Sequence, residues 1–301
     1  MDLSFYRRNA WWLGTGLLLM FSSCFGQTYF ISLFAGGIRE EFGLSNGAWG
    51  GIYTIATISS AALLIQVGRL ADTMPLLRLC VIIVACYALA ALVMATSVHV
   101  VMLVVAIFGL RFCGQGMMTQ NAMTATGRWF SANRGRAISV VALGQNAGEA
   151  VFPFIFVIVA GAIGWRMSWV AGAGLLVVVA MPLIALLYRQ EREPRSSDPE
   201  PKVTAARDWT RGEVIRDRAF WLMLIGILAP PFIGTCVFFH QVHIATVRGY
   251  DLSVMALGLN FIGVPRGSLG VGRSLEDGVV LRAFGRRRGH GERPGRCRHH
   301  L

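Results

Sequence analysis

The sequence has 301 residues, of which 54% are hydrophobic and 15% charged, and its mean hydropathy is +0.56. A soluble domain of this length is less apolar and more charged, so we expect lipid as the solvent. The net charge of +12 does not indicate nucleic-acid binding, because the basic residues stand in short runs between apolar stretches. The sequence also contains no phosphate-binding glycine loop, zinc-type His and Cys spacing or nucleophile elbow. We therefore expect no enzyme, no bound metal, no cofactor and no nucleic-acid partner.

Seven apolar segments are long enough to cross a bilayer, which takes about 20 helical residues. They run from Ala10 to Phe34, Ala48 to Val67, Leu79 to Ser97, Val100 to Thr124, Ala137 to Ala162, Trp165 to Tyr188 and Ala219 to His240. The first is too long for the core of a signal peptide and has no small-x-small cleavage site. The sequence thus predicts an all-α membrane protein that crosses the bilayer several times.

The arginines predict how the spans are oriented. One set of span ends carries Arg7, Arg8, Arg69, Arg78, Arg128, Arg134 and Arg136. The other set carries Arg39, next to Glu40 and Glu41, and Arg166. Because cytoplasmic connections are enriched in Lys and Arg, we predict a cytoplasmic N-terminus. The membrane that we expect is a bacterial inner membrane.

The chain divides into four parts. Residues 1–188 form a bundle of six predicted helices, and residues 189–218 are a polar, proline-bearing cytoplasmic linker. Residues 219–262 begin a second bundle with the seventh span and part of an eighth, since Leu252 to Val264 reaches only about 20 Å. Residues 263–301 contain nine arginines and nine glycines, without helical periodicity. This tail is either a disordered basic segment or the product of a reading-frame shift near Val264, which is our hypothesis.

Two ionisable residues lie deep inside predicted spans, where charge is costly and therefore informative. Arg111 in the fourth span and Glu149 in the fifth are each roughly 18 to 20 Å from one end, so we expect them at the same level near the midplane. Gln115 at i+4 from Arg111 and Gln145 at i−4 from Glu149 extend the same helical faces. Asn146 and Gln27 add further polar groups. Together these six residues predict a path for a solute or a proton.

Two interpretations of Arg111 and Glu149 stay open. They are either a structural clamp between neighbouring helices or groups that bind an anionic solute and carry a proton. Gly144 and Gly148, four residues apart in the fifth span, predict close helix packing. Ala171 and Gly174 make the same prediction for the sixth span.

Four short motifs resemble one transporter family. They are Gly68, Leu70, Ala71 and Asp72 after the second span; Arg111, Gly114, Gln115 and Gly116 in the fourth; Arg134, Gly135, Arg136 and Ala137 before the fifth; and Gly164, Trp165 and Arg166 before the sixth. In this order and position they resemble the major facilitator superfamily. The first two spans also resemble bacterial monocarboxylate-type permeases.

This resemblance implies twelve helices in two six-helix halves, with a small solute held between them near the midplane and exposed to each side in turn. It places Gly68, Asp72, Arg78, Arg134 and Arg136 in a cytoplasmic gate. The expected partners are the lipid bilayer and a small solute, anionic if Arg111 contacts it. The alternatives are a truncated fragment without transport activity and, less well supported, a helical membrane receptor or sensor.

Overall fold

A computed structural model describes residues 3–130, 133–188 and 210–249, and within these ranges every regular element is a helix. The backbones of Leu3, Asp72 and Arg211 are described, but not their side chains. The predicted eighth helix and the basic tail from residue 263 lie outside the described residues, as does most of the predicted linker.

Six long apolar helices in these ranges are able to cross a membrane. Span 1 is Ala10–Glu41, span 2 is Asn46–Val67, span 3 is Leu76–Ala95, span 4 is Val100–Trp129 and span 7 is Arg218–Phe239. The remaining helix, Arg134–Leu187, has 54 residues. A straight helix of that length would measure about 80 Å, more than twice the thickness of the bilayer core.

This long helix reverses direction at Gly164, whose φ of 80° and ψ of 165° are not helical. Its first residue, Arg134, lies beside Gly127 near the end of span 4, and the carbonyl of Leu187 accepts a hydrogen bond from Trp11 at the start of span 1. Trp165, after the reversal, donates instead to Glu41 at the other end of span 1. We therefore divide it into span 5, residues 134–163, and span 6, residues 165–187. The seven crossings agree with the sequence prediction.

Three of the spans are irregular. Span 1 consists of Ala10–Ser22, a 3₁₀ turn Ser23–Gly26, Thr28–Ile31, a second 3₁₀ turn Ser32–Phe34 and Ala35–Glu41. Span 4 consists of Val100–Leu110, a π-helical segment Arg111–Met118 and Thr119–Trp129, and span 6 contains a second π-helical segment, Leu176–Ala180, before Met181–Leu187. Short helices flank the spans at Leu3–Arg8, Leu70–Thr73, Arg211–Arg216 and Gln241–Arg248.

The described end of the predicted linker is more ordered than its composition suggested. Thr210 and Glu213 form a reciprocal capping box that begins the helix Arg211–Arg216. Asp217 then accepts a hydrogen bond from the backbone N–H of Ala219 and begins span 7. The linker therefore ends in a capped helix that leads directly into the membrane.

Burial separates the inner and outer surfaces of the bundle. The most apolar stretch of span 1 is 83% buried, whereas that of span 7 is only 6% buried within the described residues. Large apolar side chains point outward from the other spans, among them Ile55, Ile58, Ile65, Leu89 and Val178. An apolar exterior around a more polar interior is what a bilayer requires. The chain is thus a multi-pass membrane protein with span 1 at the centre of its described bundle.

Candidate functional site

The helix of span 1 is interrupted halfway along its length. Gly26 is 16 residues from Ala10 and 15 from Glu41, and the next residue, Gln27, is extended, with φ −80° and ψ 153°. Such an interruption leaves backbone carbonyls without their helical partners. The carbonyl of Ser23 accepts a hydrogen bond of 3.0 Å from Tyr87 in span 3. The carbonyl of Gly26 accepts one of 3.4 Å from Arg111 in span 4.

The interruption is packed closely against span 4. A Cβ atom on Gly26 would overlap the carbonyl oxygen of Leu110 and lie 2.9 Å from the Cα of Gly114. A Cβ on Gly114 would in turn overlap the hydroxyl of Tyr87. Only glycines allow these two backbones to approach so closely. This contact brings Arg111, just after Leu110, to the interruption in span 1.

The Arg111 side chain is 7% exposed and contacts spans 1 and 2. Its Nη1 donates to the Thr28 hydroxyl at 3.0 Å, and the Tyr53 hydroxyl donates to the same oxygen at 3.0 Å. The guanidinium carbon lies 5.4 Å from the centre of the Tyr53 ring, within cation–π range. Its Nε is buried and has no hydrogen-bond partner among the described residues. The guanidinium is therefore held along one edge, and Nε is left unsatisfied.

Glu149 approaches span 1 from span 5 at the same level. It lies 15 residues after Arg134 and 15 before Gly164, the middle of span 5. The preceding Gly148 packs so closely on Cys24 that a Cβ there would overlap the sulfur. Glu149 is half-buried and near enough to Cys24 and Tyr29 to interact electrostatically with both. The structure thus brings both charged residues to the interruption in span 1, and a direct ion pair between them stays a prediction.

The other predicted path residues lie around this point at different depths. Gln27 is buried and donates to the Ser23 hydroxyl at 3.5 Å, while Gln145 and Asn146 are half-buried. Gln115 is exposed, although we expected it on the same helical face as Arg111. That expectation used α-helical spacing, and residues 111–118 form a π-helix, in which more residues make up each turn. The i+4 residue therefore points in a different direction.

The predicted glycine contacts of span 5 are confirmed. A Cβ on Gly144 would overlap the carbonyl oxygen of Leu17 in span 1, and Gly148 makes the Cys24 contact described above. Gly174 in span 6 behaves differently, since a Cβ there would meet no described atom within 4 Å. The spacing of small residues alone did not distinguish these two pairs.

The predicted gate residues lie at the end of the bundle that carries the N-terminus. Gln120 in span 4 donates to the carbonyl of Gly68 at 3.3 Å, and Arg128 donates to the carbonyl of Ala71 at 2.9 Å. A groove of about 320 Å³ lies between the ends of spans 2 and 4, lined by Leu64, Ile65, Gly68, Arg69 and Gln120. Span 4 therefore holds the short helix Leu70–Thr73 against the bundle.

The charged gate candidates are distributed around that end. Arg78, Arg134 and Arg136 are exposed, and the guanidinium of Arg134 lies against Gly127. The side chain of Asp72 lies outside the described part of the structure. Gly68 is buried, and a Cβ on it would lie 2.7 Å from the Gln120 amide nitrogen.

The opposite end of the bundle is fixed by Arg166. Its Nη2 lies 2.6 Å from a carboxylate oxygen of Glu41 and donates to the carbonyl of Ser97 at 2.6 Å, while its Nη1 donates to the carbonyl of Ala95 at 2.7 Å. Trp165 donates to the other Glu41 oxygen at 2.9 Å. This clamp ties the ends of spans 1, 3 and 6 together.

Span 7 also meets span 1 in this half of the bundle. Gln241, which is 1% exposed, donates to the carbonyl of Tyr29 and to the hydroxyl of Ser32, both at 2.7 Å. The Ser32 hydroxyl donates at 2.7 Å to the carbonyl of Phe238, near the end of span 7. We call these three hydrogen bonds the Gln241 latch.

The residues that surround Arg111 and those of the latch were not predicted from the sequence. Thr28, Tyr53 and Tyr87 are single polar groups in apolar spans, and Gln241 follows the seventh predicted span. The adjacent Gly26 and Gln27 in the middle of the first span were the available signal for an interrupted helix. In the described ranges no three His, Cys, Asp or Glu side chains come together as metal ligands.

The chain matches one family profile and is similar to solved structures, one of which is described below. The sequence profile of the Major Facilitator Superfamily matches residues 16–288, a range that includes part of the predicted tail. The chain is similar to a solved bacterial homolog of the human lysosomal transporter Spinster, in an inward-facing and unoccupied conformation, with a TM-score of 0.68 and 19% identity. The similarity covers 92% of this chain but 63% of that one, so the chain spans less than two thirds of its length. No curated protein matches the sequence.

Proposed function

The chain belongs to the Major Facilitator Superfamily, and we propose that it transports a small organic anion by alternating access. The similar bacterial structure supports the helical architecture that this mechanism uses. An interrupted helix in the interior of a bundle is also a common place for a solute to bind. The proposed site is the guanidinium of Arg111 at the interruption in span 1.

The observation that carries this proposal is the incomplete set of hydrogen bonds around a buried Arg111. A charge at this depth is costly unless it is paired or fully hydrogen-bonded. Thr28, Gly26 and the face of the Tyr53 ring satisfy part of the guanidinium, but its buried Nε has no described partner. A carboxylate is the natural complement, because it accepts two parallel hydrogen bonds from the guanidinium fork. We therefore favour a small carboxylate, such as a monocarboxylate, as the solute.

Glu149 is our candidate for proton coupling. It lies on span 5 at the level of Arg111, half-buried and close to Cys24 and Tyr29. A carboxyl group that is charged in one state and neutral in another would allow one proton to move with each anion. Gln27, Gln145, Asn146 and Gln115 complete the proposed path, the first three nearer the interior than the last.

The gate and the orientation of the chain are also proposals. We assign Gly68, Asp72, Arg78, Arg134 and Arg136 to a cytoplasmic gate, because this end carries most of the described arginines outside the bilayer. The N-terminus would then be cytoplasmic and the clamp of Arg166 and Glu41 would face outward. A bacterial inner membrane is the proposed location.

Uptake into proteoliposomes tests the proposal. Acetate, lactate, pyruvate, benzoate and succinate are offered to the unaltered chain and to Arg111→Gln. Losing a charge-assisted hydrogen bond to the solute should lower uptake about tenfold or more. Arg8→Gln is the matched control, since Arg8 is exposed and bonds only to Ser4 among the contacts described for it. Equal uptake by the unaltered chain and Arg111→Gln, or no uptake of any carboxylate, would refute the proposal.

A further inference from the structure

Both halves of span 1 pack on span 5, and the second half is also bonded to span 7. Before the interruption, Gly144 contacts the backbone of Leu17. After it, the ring of Phe30 packs against Phe156 of span 5, and the Gln241 latch binds Tyr29 and Ser32. Only Gln27, in extended conformation, joins the two. An interruption of this kind allows two helical segments to move separately.

Thr28 joins this second half to spans 2 and 4. It is the first helical residue after the interruption, and its hydroxyl oxygen accepts hydrogen bonds from both Arg111 and Tyr53. The next residue, Tyr29, supplies the carbonyl that Gln241 binds. Any shift of the Thr28 turn therefore moves one acceptor of the latch directly.

We propose that an anion at Arg111 is sensed through Thr28, and that Thr28 transmits its binding to the Gln241 latch. This inference rests on the proposed function. A guanidinium is planar and rigid, so a carboxylate that forms a hydrogen bond with its unsatisfied Nε shifts Nη1 as well. A carboxylate adds a Coulomb attraction to the guanidinium that the neutral oxygens of Thr28 and Gly26 lack, so the carboxylate competes well with them for Arg111. The Thr28 turn then loses its contact with span 4, and the latch loosens.

The hydrogen bonds at Thr28 also stabilise the latch when no anion is bound. Without an anion, Nη1 remains bonded to Thr28 at 3.0 Å, and the Tyr53 hydroxyl supports the same oxygen. Arg111 thus has two alternative sets of partners, one inside the protein and one on the solute. A ligand shifts a conformational equilibrium only when it binds the two states differently, and competition for Arg111 provides that difference.

The test measures labelling of a cysteine placed beside the latch. The six native cysteines are changed to alanine, and Gly36→Cys is introduced, because a Cβ at this position would lie 3.4 Å from Val242 in the helix of Gln241. A membrane-impermeant maleimide reports how often this contact opens, and radiolabelled lactate reports anion binding in the same proteoliposomes.

Lactate should speed labelling of this chain about threefold to tenfold, the change in a two-state population when one hydrogen bond is lost. Thr28→Val should label at the faster rate without lactate, and lactate should then add nothing. Tyr53→Phe, which removes the other hydrogen bond to Thr28, should give an intermediate rate. Thr15→Val is the matched control, because Thr15 is a buried threonine of the same span whose hydroxyl bonds only locally, to the carbonyl of Trp11.

The outcomes separate this inference from the proposed function. If lactate binds but Thr28→Val and Tyr53→Phe label at the original rate and still respond to lactate, the role of Thr28 is refuted and the function stands. If neither lactate nor any other carboxylate of the uptake panel binds the chain in any form, the proposed function fails and the inference fails with it.

Discussion

Arg111 and Thr28 are joined by a 3.0 Å hydrogen bond between span 4 and the first turn after the interruption in span 1. The structural and functional interpretations of Arg111 are therefore compatible. Its hydrogen bonds to Gly26 and Thr28 stabilise an irregular backbone, and its buried Nε, unsatisfied among the described residues, is the atom that we propose bonds to the solute.

The close contact between spans 1 and 4 makes Gly26 intolerant of any side chain. Gly26→Ala places a Cβ against the carbonyl of Leu110, and we expect it to lower the free energy of unfolding by about 1–3 kcal/mol, as overpacking does. Denaturation in mixed micelles, followed by circular dichroism, measures this change. Gly14→Ala in the same span is the control, since a Cβ there meets no described atom within 4 Å. Equal stability of the two variants would show that the contact at Gly26 is looser than described.

Gly144 makes the corresponding contact between spans 1 and 5. Gly144→Ala should lower the free energy of unfolding by about 1–3 kcal/mol, because the new Cβ would overlap the Leu17 carbonyl. Gly161→Ala, in open space on the same span, should leave stability unchanged or raise it slightly through helix propensity. Thermal aggregation midpoints in one detergent compare the two. A destabilised Gly161→Ala beside a normal Gly144→Ala would contradict this packing.

The two partners of the outer clamp should contribute unequally. Their ion pair is partly exposed, with 30% of Arg166 and 45% of Glu41 accessible, so Glu41→Gln should cost only about 0.2–1 kcal/mol. Arg166→Gln should cost about 1–2 kcal/mol more, because it also leaves the carbonyls of Ala95 and Ser97 without their donor. Urea unfolding of both variants and of the double variant measures the difference. Equal costs for the two single variants would mean that the carbonyl contacts add nothing.

Glu149 gives the proposed function a pH signature. If Glu149 carries the coupled proton, uptake by the unaltered chain should rise as the external pH falls. A lower external pH favours the protonated, neutral carboxyl group of Glu149, which then carries its proton inward with the anion. Glu149→Gln should abolish this dependence and keep exchange of labelled for unlabelled anion, because the glutamine mimics the protonated state. Initial rates at external pH values between about 5.5 and about 8 make the comparison. An unchanged pH profile in Glu149→Gln would exclude the coupling role.

The sequence predicted the spans well because apolar length alone defines them. Span 2 begins two residues before the predicted Ala48, and spans 5 and 6 divide between the predicted Ala162 and Trp165. The largest error was at the end of span 1, which continues to Glu41 through residues expected in a loop. The charged residues Arg39, Glu40 and Glu41 thus extend the helix beyond its apolar part, and Arg39 donates to the carbonyl of Leu44 just after the helix ends.

The site was only partly predictable. Arg111 and Glu149 stand out because buried charge is rare, and both lie at the interruption in span 1. The interruption itself was not predicted, since hydropathy is unaffected by a local change in backbone angles at Gln27. Gln115 was misplaced for a related reason, because the sequence does not show that span 4 becomes π-helical at Arg111.

The most direct test of this account detects a carboxylate at Arg111. Solid-state NMR of the chain with ¹⁵N-labelled arginine side chains and ¹³C-carboxylate lactate measures dipolar contact between a guanidinium and the bound anion. We predict a contact of about 4 Å or less, as a charge-assisted hydrogen bond requires, that disappears in Arg111→Lys while the other arginine signals remain. A contact that survives in Arg111→Lys, or bound lactate without any guanidinium contact, would contradict the central claim that Arg111 binds the solute.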